Sequence, residues 1–139
     1  MGSVLGAGSV SSSSQAHLVF VPKYRSSVIN ERVLAVLKAA FEQVCSDFEC
    51  ELREVGWAAD HVHLLVGYPP KVALSKLVNS LKGVSARRLR AADFPEVRSK
   101  LWGEHFWSPS YCAVSCGGAP LETVQRYIQT QRGGASSPT

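Results

Sequence analysis

The chain has 139 residues, enough for one domain with a single sizeable core and too few for several. Its 45% hydrophobic and 19% charged content is that of an ordinary globular protein, and no apolar run approaches membrane-spanning length, which sets a membrane aside as partner. A net charge of +4 leans toward a polyanionic partner.

Residues 1–14 are uncharged and rich in Gly and Ser, without the basic start and long apolar centre of a secretory signal. Residues 1–15 therefore read as a flexible tail, as do residues 133–139. One domain over residues 16–132 remains, expected in the cytoplasm. Cys45, Cys50, Cys112 and Cys116 form no Cys-x-x-Cys pair, so they read as free thiols rather than a zinc ribbon.

The first predicted strand, residues 16–21, ends at Pro22. Lys23-Tyr24-Arg25 follows as a basic loop with an aromatic in it. Taken alone it is a solvated turn; against a nucleic acid, Tyr24 would stack on a base while Lys23 and Arg25 met phosphates. Asn30 caps a helix with Glu31 in its first turn. Val33, Leu37, Ala40, Phe41, Val44 and Phe48 recur at helical spacing and carry that helix to about residue 48.

Residues 51–57 predict a second strand, and a third follows almost at once, which predicts an antiparallel hairpin. The third strand contains His61-Val62-His63-Leu64-Leu65-Val66. Side chains alternate along a strand, so His61 and His63 share one face and Val62 takes the other. Two imidazoles side by side can chelate a metal ion. Two ordinary histidines on a half-exposed strand are the alternative, and spacing alone leaves both open.

A helix over residues 72–90 carries Leu74, Leu77, Val78, Leu81 and Leu89 as its apolar stripe. Lys76, Arg87 and Arg90 fall on the opposite stripe with Gly83 between them, and no acidic residue occurs from 71 to 90. A one-signed outer face fits a phosphate-binding surface better than a merely solvated one. Gly83 costs about 1 kcal/mol of helix stability relative to Ala. A close backbone approach by a ligand would explain it.

Residues 93–103 read as a loop with room for a short helix, and residues 105–114 are aromatic-rich and strand-like after Pro109. Gly117-Gly118 is a break, and Pro120 suits the first turn of a last helix running to about residue 131. On it, Tyr127 and Gln131 lie four apart and project from one face. The order strand, helix, strand, strand, helix, strand, helix is an α+β plan. It is the ferredoxin-like, RRM-like split βαβ antiparallel sheet with an added C-terminal helix carrying the tyrosine. The histidine strand is then central, with helices packed on one face.

The motifs together resemble the single-tyrosine HUH transposases, the TnpA type that moves insertion sequences as single-stranded DNA. The matching segments begin with His17-Leu18-Val19-Phe20-Val21-Pro22-Lys23-Tyr24-Arg25 and Asp60-His61-Val62-His63-Leu64-Leu65-Val66. Leu77-Val78-Asn79-Ser80-Leu81-Lys82-Gly83 and Trp107-Ser108-Pro109-Ser110-Tyr111 come next. Gly117-Gly118-Ala119-Pro120-Leu121-Glu122 and Tyr127-Ile128-Gln129-Thr130-Gln131 complete the set, collinear from about residue 16 to 131. The resemblance implies that His61 and His63 are the metal-binding pair, Tyr127 the nucleophile and Gln131 the third ligand. Asp60 sits where the family often has an acidic residue near the metal. Ala59 stands where a Pro often precedes that Asp, and the Ser-rich start replaces the usual short polar N-terminus. Neither departure touches the inferred chemistry.

The implied reaction is metal-assisted cleavage and rejoining of single-stranded DNA at element ends through a covalent 5′-phosphotyrosine, with hairpin recognition. The implied cofactor is Mg²⁺ or Mn²⁺. The implied assembly is a homodimer in which one subunit's tyrosine helix can complete the partner's site. Lys23, Tyr24, Arg25, Lys76, Lys82, Gly83, Arg87 and Arg90 are the expected DNA contacts. A replication initiator or relaxase, which are usually larger, and a host-adapted HUH nuclease on palindromic repeats are the nearest alternatives. A non-catalytic ferredoxin-like nucleic-acid-binding module would have no use for His61, His63, Tyr127 and Gln131 together. A zinc hydrolase would need a further His or Cys ligand.

Overall fold

The computed structural model describes residues 14–101 and 105–115, and for residues 112, 114 and 115 the backbone alone. Strand β1 (Ser14–Phe20) leads through a 3-10 turn at Lys23–Arg25 into helix α1 (Glu31–Asp47). The hairpin β2 (Glu51–Ala58) and β3 (His61–Tyr68) follows, then α2 (Leu74–Ala92), the short α3 (Pro95–Leu101) and β4 (Cys112–Ser115). The sheet order is β2-β3-β1-β4, with every neighbouring pair antiparallel. This is the expected ferredoxin-like α+β plan, with the histidine strand central.

Local chemistry accounts for the element ends. Asn30 is extended, and its side chain accepts from the Val33 amide at 2.9 Å, satisfying a donor that the first turn of α1 leaves open. Helix α2 starts and ends two residues later than the periodicity predicts. Val72 is held in a turn by its N–H to the Pro69 carbonyl, and Asp93 closes the helix in the left-handed conformation at φ 54°. The loop predicted over residues 93–103 holds α3, with Pro95 in the first helical position.

Helices α1 and α2 pack on one face of the sheet. Ala16, Leu18 and Phe20 of β1 and Val62, Leu64 and Val66 of β3 meet Leu37, Phe41, Leu77, Val78 and Leu81 there. Phe20 packs edge-on against Phe41 and Trp107. The Trp107 indole N–H donates to Ser85 Oγ at 3.0 Å, and that hydroxyl donates to the Leu81 carbonyl, so the polar atoms in this core are paired. Among the described residues no helix is long and apolar enough to cross a membrane. The helix expected over residues 120–131, with Tyr127 and Gln131, lies outside the described residues, as do residues 1–13 and 133–139.

Candidate functional site

The β2–β3 hairpin turns on Ala59 and Asp60 alone, which pairs Ala58 with His61 and Gly56 with His63. Strand alternation then separates the side chains. Val62, Leu64 and Val66 are fully buried toward the helices, while His61 and His63 are half-buried on the opposite face. Their rings lie 6.2 Å apart between centroids and 25° from parallel.

Asp60 sits at the hairpin tip, and its Oδ1 lies 2.9 Å from His61 Nδ1. Burial favours a protonated Asp60, but the hydrogen bonds from His61 and Arg25, together with their charges, outweigh it and hold the carboxyl below its ordinary value. An ionised carboxylate can only accept. Nδ1 of His61 therefore carries a proton toward the carboxylate, and Nε2 is the ring nitrogen outside that contact. For His63, burial and then the charges of His61 and His17, against an opposing pull from Glu54, push the pKa below its ordinary value. The His63 ring is thus neutral at pH 7, the form that binds metals.

Two residues of this site are absent from the sequence prediction. Gly56 lies under the His63 ring, where an added Cβ would come within 2.1 Å of Nε2. A glycine inside an otherwise regular strand often marks such an approach, and that was the available signal. His17 shares the histidine face, because Ala16 and Leu18 turn into the core on either side of it. Its pairing with Leu65 sets it diagonal to His63.

The donor set fits a metal ion in part. An ion about 2 Å from a ring nitrogen sits about 3 Å from that ring's centre. Rings 6.2 Å apart lie just beyond the roughly 6 Å that this allows, so sharing one ion requires the two rings to draw together. Among the described residues no group of three or more His, Cys, Asp or Glu could hold a metal, so the pair is an incomplete ligand set. Asp60 is not turned to such an ion: Oδ1 is on His61 and Oδ2 is 2.5 Å from Arg25 Nε. Both its oxygens are thus engaged by His61 and Arg25.

The residues expected to meet DNA divide into two groups. Lys76, Arg87 and Arg90 are exposed along one stripe of α2. Gly83 lies on the same stripe, and among the described residues its missing Cβ would touch only Arg87, at 3.5 Å, so no packing among them requires the glycine. Tyr24 is 70% exposed, with the Lys23 ammonium 5.6 Å from its ring centre. Arg25 and Lys82 are instead committed within the protein. The Arg25 guanidinium is nearly buried on Asp60. The Lys82 ammonium donates to the carbonyls of Ser108 at 2.7 Å and Pro109 at 3.2 Å, and burial lowers its pKa. Lys82 thereby ties α2 to the segment leading into β4.

Paired histidines on the central strand of a β2-β3-β1-β4 sheet mark the class, an HUH-type ferredoxin-like domain. A family model described as "Transposase IS200 like" matches residues 10–131, and the chain belongs to that family. It is 36% identical over 115 residues to the ISDra2 transposase TnpA of Deinococcus radiodurans, covering 83% of this chain and 81% of that protein. It is 30% identical over 115 residues to the transposase for insertion sequence element IS200 of Salmonella typhimurium, covering 83% and 74%. The crystal structure of a putative transposase from Deinococcus radiodurans superposes with a TM-score of 0.77 at 34% identity, over 86% of this chain and 91% of that one. A REP-associated tyrosine transposase bound to a REP hairpin shares the fold at 12% identity, with a TM-score of 0.56 over 87% and 66% of the two chains. The protein is accordingly a transposase, an enzyme that cleaves DNA and transfers its strands.

Proposed function

We propose that this transposase cuts and reseals single-stranded DNA at the ends of an insertion sequence, with Tyr127 as nucleophile and His61, His63 and Gln131 as holders of a divalent ion. The observation that carries the reading is the imidazole pair itself. Burial lowers the pKa of the His63 ring, and Asp60 holds the Nδ1 edge of His61 so that its Nε2 lies outside that contact.

In the first step the Tyr127 phenolate oxygen attacks phosphorus. The bond from phosphorus to the 3′ oxygen breaks, and that oxygen leaves as a 3′-hydroxyl after taking a proton. A phenol, with a pKa of about 10, leaves more readily than a sugar alkoxide. The phosphotyrosine thus remains reactive, and a second 3′-hydroxyl can displace it without ATP. A divalent ion, when bound, polarises the non-bridging oxygens and orients the phosphate. Imidazole ligands favour Mn²⁺ over Mg²⁺, which prefers oxygen.

The exposed Lys76, Arg87 and Arg90 stripe, with Gly83 open between its cations, and the exposed Tyr24 are the proposed DNA surface. A relative of this fold is bound to a hairpin, which supports extending hairpin recognition to this chain. The proposed assembly is a homodimer, with the tyrosine helix able to complete the partner's site and Gly117-Gly118 as its hinge.

The test is a denaturing gel of the protein with labelled single-stranded element-end DNA, in Mn²⁺, in Mg²⁺ and in chelator, beside Tyr127→Phe. A metal-dependent adduct that disappears in Tyr127→Phe establishes nucleophile and reaction class. An adduct that persists in the mutant means another residue attacks.

A further inference from the structure

We propose that Arg25 is a positioning residue for the histidine pair: through Asp60 it holds His61 in the tautomer that leaves Nε2 free. The basic turn on β1's exit thereby sets the geometry of the site on β3. The consequence for metal binding rests on the proposed role of His61 and His63; the positioning itself does not.

Arg25 occupies an unfavourable place. Tyr24 and Arg25 are consecutive non-glycine residues in the left-handed region, at φ 61° and 52°. The Arg25 side chain is only 10% exposed, and its Nη1 is buried with no hydrogen-bond partner among the described residues. A surface cation on a loop would avoid all three conditions. What the placement achieves is contact with Asp60, from a residue 35 positions distant, through Nε to Oδ2 at 2.5 Å.

The backbone delivers the arginine there. The Lys23 N–H donates to the Phe106 carbonyl at 2.8 Å, and the Ile29 N–H donates to the Ala59 carbonyl at 3.0 Å. Both sides of the turn are thus fastened, one of them to the residue before Asp60. With Oδ2 held by Arg25, the carboxylate cannot rotate away, and Oδ1 stays 2.9 Å from His61 Nδ1. Which imidazole nitrogen carries the proton is decided by the hydrogen bond the other elements offer it. Arginine suits this place because its charge is permanent and its donors are rigidly arranged.

The same turn points Tyr24 outward at 70% exposure while Arg25 reaches inward. One three-residue element therefore carries both a candidate base-stacking ring and the brace of a metal ligand.

The experiment is long-range ¹H–¹⁵N correlation of the histidine side chains in the full, metal-free chain near pH 7.5. It compares wild type, Arg25→Ala, Arg25→Lys and Asp60→Asn. The expected result is a His61 ring protonated at Nδ1 in wild type and a mixture of tautomers in Arg25→Ala and Asp60→Asn. Arg25→Lys, which keeps one charged donor, should return the ring toward the wild-type form. Manganese affinity, read from the electron paramagnetic resonance of free Mn²⁺, should fall about 10- to 100-fold in Arg25→Ala. A His61 ring that stays protonated at Nδ1 in Arg25→Ala overturns the proposal. If that variant does not fold, the same outcome in Asp60→Asn, with Arg25 intact, overturns it. A tautomer change in a protein whose wild type binds no Mn²⁺ would leave the positioning standing and remove the metal reading.

Discussion

Gly56→Ala separates the histidine site from the stability of the sheet that carries it. An added Cβ would lie 2.1 Å from His63 Nε2 and 2.3 Å from Cε1. Ordinary contact begins at 3.4 Å, so the ring must retreat by about 1.3 Å. A metal site tolerates ligand displacements of roughly 0.2 Å, several times less. Mn²⁺ affinity should therefore drop by at least about 10- to 100-fold, which corresponds to about 1.4–2.7 kcal/mol. The fold should scarcely notice. Alanine in a strand is about 0.5–1 kcal/mol better than glycine. A displaced rotamer costs about 0.5–1.5 kcal/mol in the other direction. The assay is an Mn²⁺ titration by electron paramagnetic resonance beside a metal-free thermal melt, on wild type, Gly56→Ala and His63→Ala. The reasoning fails if Gly56→Ala binds Mn²⁺ as wild type does while His63→Ala does not.

Four further outcomes follow from particular contacts. Lys82→Met should lose about 1.5–3 kcal/mol of stability, since it removes charged hydrogen bonds to the Ser108 and Pro109 carbonyls. Its salt dependence of DNA binding should be unchanged; a shallower slope would mean that Lys82 meets phosphate after all. Arg87→Ala and Arg90→Ala, both exposed, should each reduce the slope of log affinity against log salt by about 0.7 for a single strand, with the melting temperature unmoved. Glu96 is held at about 2 by hydrogen bonds from Arg32, then Asn30, below its ordinary 4.5. Its contribution is present above pH 4.5 and lost as pH falls toward 2, so Glu96→Gln should flatten the acid limb of the melting curve there. The group is fully exposed, so the difference should be small and should shrink in high salt. Burial pushes Cys45 up to about 12 and, with the neighbouring Glu49 charge, Cys50 up to about 11. Peptide mass spectrometry should find both unmodified after brief iodoacetamide treatment of the native protein at pH 8; rapid labelling of either would contradict the burial.

What sequence alone could determine here was set by near neighbours along the chain. Period-two alternation in β3 places His61 and His63 together opposite Val62, whatever the rest of the fold does. Helical spacing from Val33 to Val44 and the Asn30 cap likewise depend on one turn of chain, and α1 follows them. The order of elements then restricts the topology, and the observed β2-β3-β1-β4 sheet agrees. The collinear motifs led to the same family that residues 10–131 match.

Only the tertiary structure decided what those residues touch. Arg25 and Lys82 look like two more surface cations in a basic chain, yet one braces Asp60 from 35 residues away and the other clamps a segment 26 residues on. Gly56 becomes part of the site only because the β2–β3 register sets it opposite His63. Periodicity tells which face a side chain takes, since that is fixed by the geometry of its own backbone. Which partner it meets depends on how distant strands and turns close on one another. That closure is settled by packing of the whole core and leaves no trace in any single stretch of the chain.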